Sequence, residues 1–356
     1  MIKGMMIGLL SFLAGLSALH APAQAVTWYK VMTGRIDKYP VSMYLFSLNG
    51  AVDGYYYYDK SGVPIPVSGE LKGGNLQLRA PGDKRGKESF MGALTDTAYS
   101  GAWAIGTLSY TFRLLPIPPD SGYLSFGYIW VKGSLKRPKK SDDVPIDDGP
   151  SFEASTVWPT DSSGISGLIR KDVFGFLNLP LQGGLEQALV KSKNTFLASS
   201  NRQVSENQPS YEYHALVNIL YQTSRLVCLS MNNYSFTGGA HGNTVEIYKC
   251  YDVKQGRKLN IADVIDTLHY AKALSALLER QYRTNNRLPD DARLSESLFQ
   301  DSIPLGGNFY LTGAGIGWEY NPYEIGPYAL GSISFFLPYT QLMPYLQPSF
   351  KEWMGL

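Results

Sequence analysis

His241 is the residue in this chain whose type and setting come nearest to chemistry. It lies in Tyr234-Ser-Phe-Thr-Gly-Gly-Ala-His-Gly-Asn243, where Gly238 and Gly239 let the imidazole approach a ligand closely and let backbone groups hold it. Asp252, Glu319 and Glu324 are the carboxylates that folding could gather around it. Hydrolysis of a polysaccharide needs two such groups at a set separation, which a sequence does not measure. The same imidazole can instead bond the loop to itself, since no carboxylate or nucleophile stands beside it in the chain. His214 falls in a strand-like run with no sequence neighbour to work with, and His269 falls on a helix as a surface or boundary residue. His-Glu-x-x-His, Cys-x-x-Cys, Gly-x-Ser-x-Gly and a phosphate-cradling loop are all missing, so the sequence offers no catalytic residue, no metal ligand set and no cofactor motif. Gly313-Ala-Gly-Ile-Gly317 lacks dinucleotide-binding spacing and opens no helix; it reads as a hairpin turn.

A second stretch suits binding better than catalysis. Trp318-Glu-Tyr-Asn-Pro-Tyr-Glu-Ile-Gly-Pro-Tyr328 is an aromatic loop stiffened by prolines, which lowers the entropy lost on binding. Its other reading is a loop wrapped onto its own core. The candidate binding residues are Tyr234, Phe236, Gly238, Gly239, His241, Trp318, Tyr320, Tyr323, Glu324 and Tyr328, together forming an aromatic and polar surface at one end of a domain.

The elements that must position them are strands and helices. Ser224–Asn233 and Thr244–Asp252 are rich in β-branched and aromatic residues and flank the glycines, which predicts an antiparallel hairpin. Cys228 and Cys250 sit symmetrically about Gly239 and should face each other, close enough for a cross-strand disulfide or for a reduced buried pair. Helices are predicted over 166–177 and 185–199. A long amphipathic helix is predicted over Ile261–Arg283, capped by Asn260, with Ile261, Val264, Ile265, Leu268, Leu274, Leu277 and Leu278 as its apolar stripe. Strands at Phe309–Leu311, up to Tyr320 and over Ser332–Leu337, then a short helix near Thr340–Leu346, complete an α+β pattern.

The two loops carry a resemblance. Tyr-x-x-x-Gly-Gly-Ala-His, followed by Tyr251-Asp-Val-Lys-Gln-Gly-Arg-Lys-Leu-Asn260 and a helix, and then Phe309-Tyr-Leu-Thr, Trp318–Tyr328 and Ser332-Ile-Ser-Phe-Phe-Leu-Pro-Tyr339, resemble the C-terminal domain of the lysozyme-sensing anti-sigma factor RsiV. The same domain type accompanies the peptidoglycan deacetylase PdaC. The resemblance covers roughly residues 165–350 and implies an extracytoplasmic α+β domain of poorly defined role. With the missing catalytic motifs it suggests a non-catalytic binding protein whose partner is a cell-wall glycan or an envelope protein such as a lysozyme; the alternative is a hydrolase or deacetylase-associated protein acting on cell-wall polysaccharide. The anti-sigma and deacetylase parts of those relatives have no counterpart here.

The start of the chain agrees with export. Lys3, the apolar run Met5–Leu19 and Ala23-Gln-Ala25 have the layout of a signal peptide over residues 1–25, giving a periplasmic or secreted protein with no membrane span after cleavage. Without Lys3 the chain has 31 basic and 30 acidic residues, a balance that argues against nucleic acid as a partner. About 330 remaining residues exceed one ordinary core and suggest two domains. Residues 26–135 read as an all-β antiparallel meander curled into a barrel or sandwich, with Asn49-Gly50 as a hairpin turn. The basic run Lys132–Lys140, the four aspartates of Asp142–Asp148 and three prolines read as a linker over 136–160, leaving 161–356 to the α+β domain. Tyr55-Tyr-Tyr-Tyr58 should place two rings inside the β domain and two outside, where they either join a core or stand as a flat platform for a sugar or peptide.

Overall fold

The computed structural model describes residues 27–118, 120–136, 149–180, 183–203 and 210–356. The expected signal peptide and residues 137–148 of the charged stretch lie outside the described residues. Eight strands pair antiparallel in chain order: β1 (Thr27–Ile36), β2 (Tyr39–Leu48), β3 (Ala51–Tyr58), β4 (Ile65–Lys72), β5 (Asn75–Asp83), β6 (Gly86–Leu94), β7 (Tyr99–Ile105) and β8 (Leu108–Pro116). Strand β1 then pairs with β8, so the meander closes as a barrel and removes its own edges. Alternation fills the interior with Met43, Leu45, Tyr56, Leu78, Phe90 and Phe112, so this is a packed core rather than a pore. Gly92 and Gly101 face each other across β6 and β7; a Cβ on Gly92 would lie 2.1 Å from the Ser100 carbonyl oxygen, so the approach requires glycine.

The four tyrosines alternate as expected, but the outward pair is not a free platform. Tyr56 and Tyr58 belong to the barrel interior. Tyr57 is 1% exposed because it packs on the second half of the molecule, where its hydroxyl donates to the Leu220 carbonyl; Tyr55 is half-buried beside it. Tyr44 donates to the Gln222 carbonyl at 3.0 Å, and Tyr44, Phe46 and Tyr57 share a core with the second sheet.

That second sheet also takes a strand the meander was expected to keep. The run Tyr123–Val131 forms β9 (Phe126–Ser134), which pairs with β10 (Ser151–Pro159) instead of the barrel, and β10 occupies residues read as linker. Eight strands already close the barrel, so β9 has no open barrel edge to join. From β10 the chain runs through helices α1 (Gly164–Phe176) and α2 (Leu185–Gln203) into β11 (Glu212–Gln222), which lies parallel to β10. Then β12 (Leu226–Phe236), β13 (Asn243–Asp252) and the short β14 (Arg257–Lys258) follow antiparallel, giving the order β14-β13-β12-β11-β10-β9. One face of this sheet is apolar and covered by helices: Phe152 and Tyr213 lie 5.9 and 6.0 Å from the Phe196 ring of α2.

The long helix is broken. Helix α3 (Ile261–Val264) begins at the N-cap Asn260, whose N–H donates to Asp263 at 2.7 Å, and it ends at Ile265, which is extended and bridges to Leu346. Asp266 then caps α4 (Thr267–Asn286) by accepting from the His269 N–H, so the helix restarts on a new axis. The restart turns Leu268 out to 87% exposure, off the predicted stripe, while Leu274 and Leu278 stay buried. Below α4 lie β15 (Phe309–Leu311), β16 (Gly315–Tyr320) and β17 (Ile333–Pro338), an antiparallel three-stranded sheet followed by α5 (Tyr339–Leu342) and α6 (Pro348–Met354). The molecule is thus an N-terminal barrel joined to an α+β half, as predicted.

Cys228 and Cys250 are direct cross-strand partners, as their symmetry about Gly239 requires, but both are free buried thiols. Opposed Cβ atoms in a ladder lie about 4.5–5.5 Å apart, wider than the roughly 3.8 Å mean of a disulfide. The Cys250 thiol donates instead to the Phe309 carbonyl at 3.8 Å.

Candidate functional site

The β12–β13 hairpin turns through Gly238 and Gly239 at φ +98° and +99°, which side chains with a Cβ rarely adopt. His241 follows on the exposed limb of the loop. Its Nδ1 lies 2.9 Å from the Gly242 carbonyl and so donates to it, leaving Nε2 to accept from the Tyr323 hydroxyl at 3.4 Å. The imidazole lies flat on the Tyr328 ring, with centroids 3.7 Å apart at 16°, and the Tyr328 hydroxyl donates to the same Gly242 carbonyl at 2.8 Å. Two loops remote in sequence are therefore clamped at one point.

Tyr323 completes the cluster under strain. It is 56% exposed and holds a left-handed φ of +71°, a conformation costly for an aromatic residue and found mostly where the surroundings impose it. Here the constraint is a turn in which the Tyr323 N–H donates to Gly326 and the Glu324 N–H donates to Asn321. Glu324 is exposed beside it and accepts from the Asn321 amide at 3.2 Å. Tyr234 adjoins the cluster: a Cβ on Gly242 would come within 2.4 Å of its ring. Phe236 is half-buried at the end of β12, and a Cβ on Gly238 would lie 3.7 Å from the Tyr211 ring.

Trp318 and Tyr320 are elsewhere. They are 0% and 3% exposed on β16, a strand buried along its whole length within the C-terminal core, so they belong to the core and not to a binding surface. The carboxylates named with His241 also have other employment. Asp252 is buried and accepts from the Lys254 and Gln255 N–H groups, and Glu319 is buried and accepts from the Ser334 hydroxyl at 2.6 Å. Burial pushes the Glu319 carboxyl up to about 7, with like charge from Glu246 adding to it and the Ser334 bond opposing. His241 hydrogen-bonds a carbonyl and a phenol, not an acid.

Two asparagines hold the aromatic loop in place. Over Glu246–Tyr248 the outer edge of β13 has no strand neighbour among the described residues. Asn321 accepts from the Glu246 N–H at 2.6 Å and donates to its carbonyl at 3.0 Å, while Asn308 accepts from the Tyr248 N–H at 2.8 Å and donates to the Glu246 carbonyl at 2.8 Å. Side-chain amides thus stand in for a missing strand and fix the loop that carries Tyr323.

A large cavity lies at neither loop. About 960 Å³ lies between the barrel and the uncovered face of the six-stranded sheet, with Trp130, Glu153, His214, Asn218 and Asn232 on the sheet side. Sequence reasoning missed this site, although Glu212, His214 and Asn218 alternate with Tyr213, Val217 and Ile219 and so mark a strand with one polar face. His214 proves to sit between Glu153 and Glu212, at 4.0 and 3.9 Å. His269 is exposed and bonds Asp266 at 2.7 Å. Among the described residues no group of three His, Cys, Asp or Glu is placed to hold a metal, and no helix is long and apolar enough to cross a membrane.

Comparison with known proteins returns the two loops to one domain type. Residues 165–244, which include His241, match the family described as deacetylase PdaC; residues 262–340, which include Tyr323 and Tyr328, match the family described as protein of unknown function DUF3298. No curated protein matches the chain. A crystal structure of a DUF3298 family member from Bacteroides fragilis is 21% identical, with a TM-score of 0.53, over 66% of this chain and 97% of that one. A DUF3298 family protein from Pseudomonas aeruginosa is 20% identical, with a TM-score of 0.49, over 64% and 96%. The first of these shows a shared fold. The His241–Tyr328 stack joins the two matched segments, and the C-terminal half of this chain is accordingly similar to the PdaC and DUF3298 domain type that its loop motifs resemble.

Proposed function

We propose that this is an exported cell-envelope protein that binds cell-wall glycan through the surface made by His241, Tyr323 and Tyr328. The observation that carries the reading is the strained, exposed Tyr323 held against a fixed His241–Tyr328 stack. Exposed aromatic faces beside hydrogen-bonding groups suit a sugar ring, whose faces are apolar and whose rim is polar. The signal-peptide layout of residues 1–25 and the likeness to a family named for a deacetylase support an envelope setting. A wall-degrading enzyme such as a lysozyme is the protein partner that the RsiV resemblance suggests for the same surface. Binding rather than hydrolysis is favoured because His241 spends both ring nitrogens on Gly242 and Tyr323.

Sedimentation of the mature protein with purified peptidoglycan sacculi tests the reading. The protein should pellet with sacculi, and soluble wall fragments should release it. A protein left in the supernatant at every sacculus concentration would reject it.

A further inference from the structure

The cleft between the barrel and the sheet has the marks of a second site, independent of the loop surface. The sheet bears two faces of opposite character, and the polar one looks into the cleft. Register places Lys132, Glu153, His214 and Tyr234 in one row across four strands, and Trp130, Ser155, Leu216 and Asn232 in the next. A sheet face that merely supported the barrel would bury apolar side chains there, as the helix-covered face does.

Asn218 supplies the second observation. It lines the cleft, is 2% exposed, and its Oδ1 has no hydrogen-bond partner among the described residues. Buried acceptors are normally satisfied, and leaving one orphaned is unfavourable unless something outside the protein completes it. The neighbouring acid is already engaged: Glu153 accepts from the Trp130 indole at 2.9 Å and faces Lys132 at 3.2 Å, which also fixes the indole ring in the wall.

Charge decides the ligand class. Asp53, Arg79 and Lys87 line the cleft from the barrel and Glu153 from the sheet, so neither sign dominates and neither an anion nor a cation is selected. What remains is aromatic surface from Trp130 and Tyr55 beside neutral amides and hydroxyls, in a volume near the upper end of the ~300–1,000 Å³ typical of small-molecule sites. We infer that the cleft binds a short, uncharged oligosaccharide, stacked on Trp130 and donating a hydroxyl or amide hydrogen to Asn218.

The probe is N,N′,N″,N‴-tetraacetylchitotetraose, titrated calorimetrically into the mature protein and four variants. Trp130→Ala and Asn218→Leu should each weaken binding about tenfold or more, and Ala51→Trp, placed at the exposed rim, should block the cleft to the same degree. Tyr323→Ala should remove only what the loop surface binds and leave a binding event that Ala51→Trp abolishes, which separates the cleft from the loop surface. Asn218→Leu should also match or exceed the wild-type melting temperature, because it removes an orphaned polar atom that a purely structural asparagine would not have. Ala51→Trp keeps the test open should a cleft variant fail to fold. No heat of binding with the wild type, or binding lost with Tyr323→Ala and kept with Ala51→Trp, would overturn the inference.

Discussion

His241 and Tyr328 lie ring on ring, 3.7 Å apart, and that contact is where the hairpin loop and the aromatic loop become one surface. Both residues hydrogen-bond the Gly242 carbonyl, so neither ring is free to turn away from the other. A surface fixed in this way loses little entropy when a ligand settles on it.

Tyr323 is where the surface trades stability for shape. Glycine accepts φ +71° without a Cβ clash, so Tyr323→Gly should stabilise the fold by about 1 kcal/mol while removing the exposed ring. Chemical denaturation checks the sign. A clear loss of stability would mean that the ring braces the loop and does not serve a ligand.

Much of this was legible in the sequence, for reasons that differ by element. The hairpin register followed from the glycines and from the symmetry of Cys228 and Cys250, because positive φ leaves few residue choices. The antiparallel meander followed from tight turns between successive strands, whereas its closure as a barrel and not a sandwich was not legible, because it depends on the pairing of β1 with β8. Membership of β9 was not legible, since local pattern gives a strand but not its partner. Trp318 and Tyr320 look like Tyr323 in the sequence, and only the packing of the core on both faces of β16 buries the first two. The break at Ile265 was hidden because the apolar period runs through it, while the capping Asp266 reads equally well as a surface acid.

The asparagine clamp predicts a stability effect with a second signature. Asn308→Ala leaves the Tyr248 N–H without its partner and removes one donor from the Glu246 carbonyl, which should cost about 1–3 kcal/mol. It also uncovers part of the β13 edge, so the variant should self-associate more than the wild type in light scattering. A monomeric variant of unchanged stability would show that the clamp is dispensable.

Glu319 should make stability depend on pH. Its folded-state carboxyl titrates near 7 against an ordinary 4.5, so folding favours the protonated form. That contribution is complete below about pH 4.5 and is lost as pH rises through 7, by up to about 3 kcal/mol. Glu319→Gln keeps the neutral form at every pH, so its stability should fall less than the wild type's between about pH 5 and pH 8. Parallel curves for the two proteins would contradict the buried-acid account.

The thiols offer a direct count. Burial pushes the Cys228 thiol up, and both sulfurs are enclosed, so native protein should react slowly with a thiol reagent. Unfolding without reductant should then release two reactive thiols per chain. Zero thiols would mean that the pair oxidises after all and that β12 and β13 approach more closely there.

The most direct test of the account is to measure sacculus affinity and melting temperature together on His241→Ala and Tyr323→Ala. Both variants should bind about tenfold or more weakly, with His241→Ala losing no more than about 1 kcal/mol from the broken stack and Tyr323→Ala melting within a few degrees of the wild type. Unchanged affinity per folded molecule, with or without a lower melting temperature, would move His241 and Tyr323 from the binding surface to the scaffold.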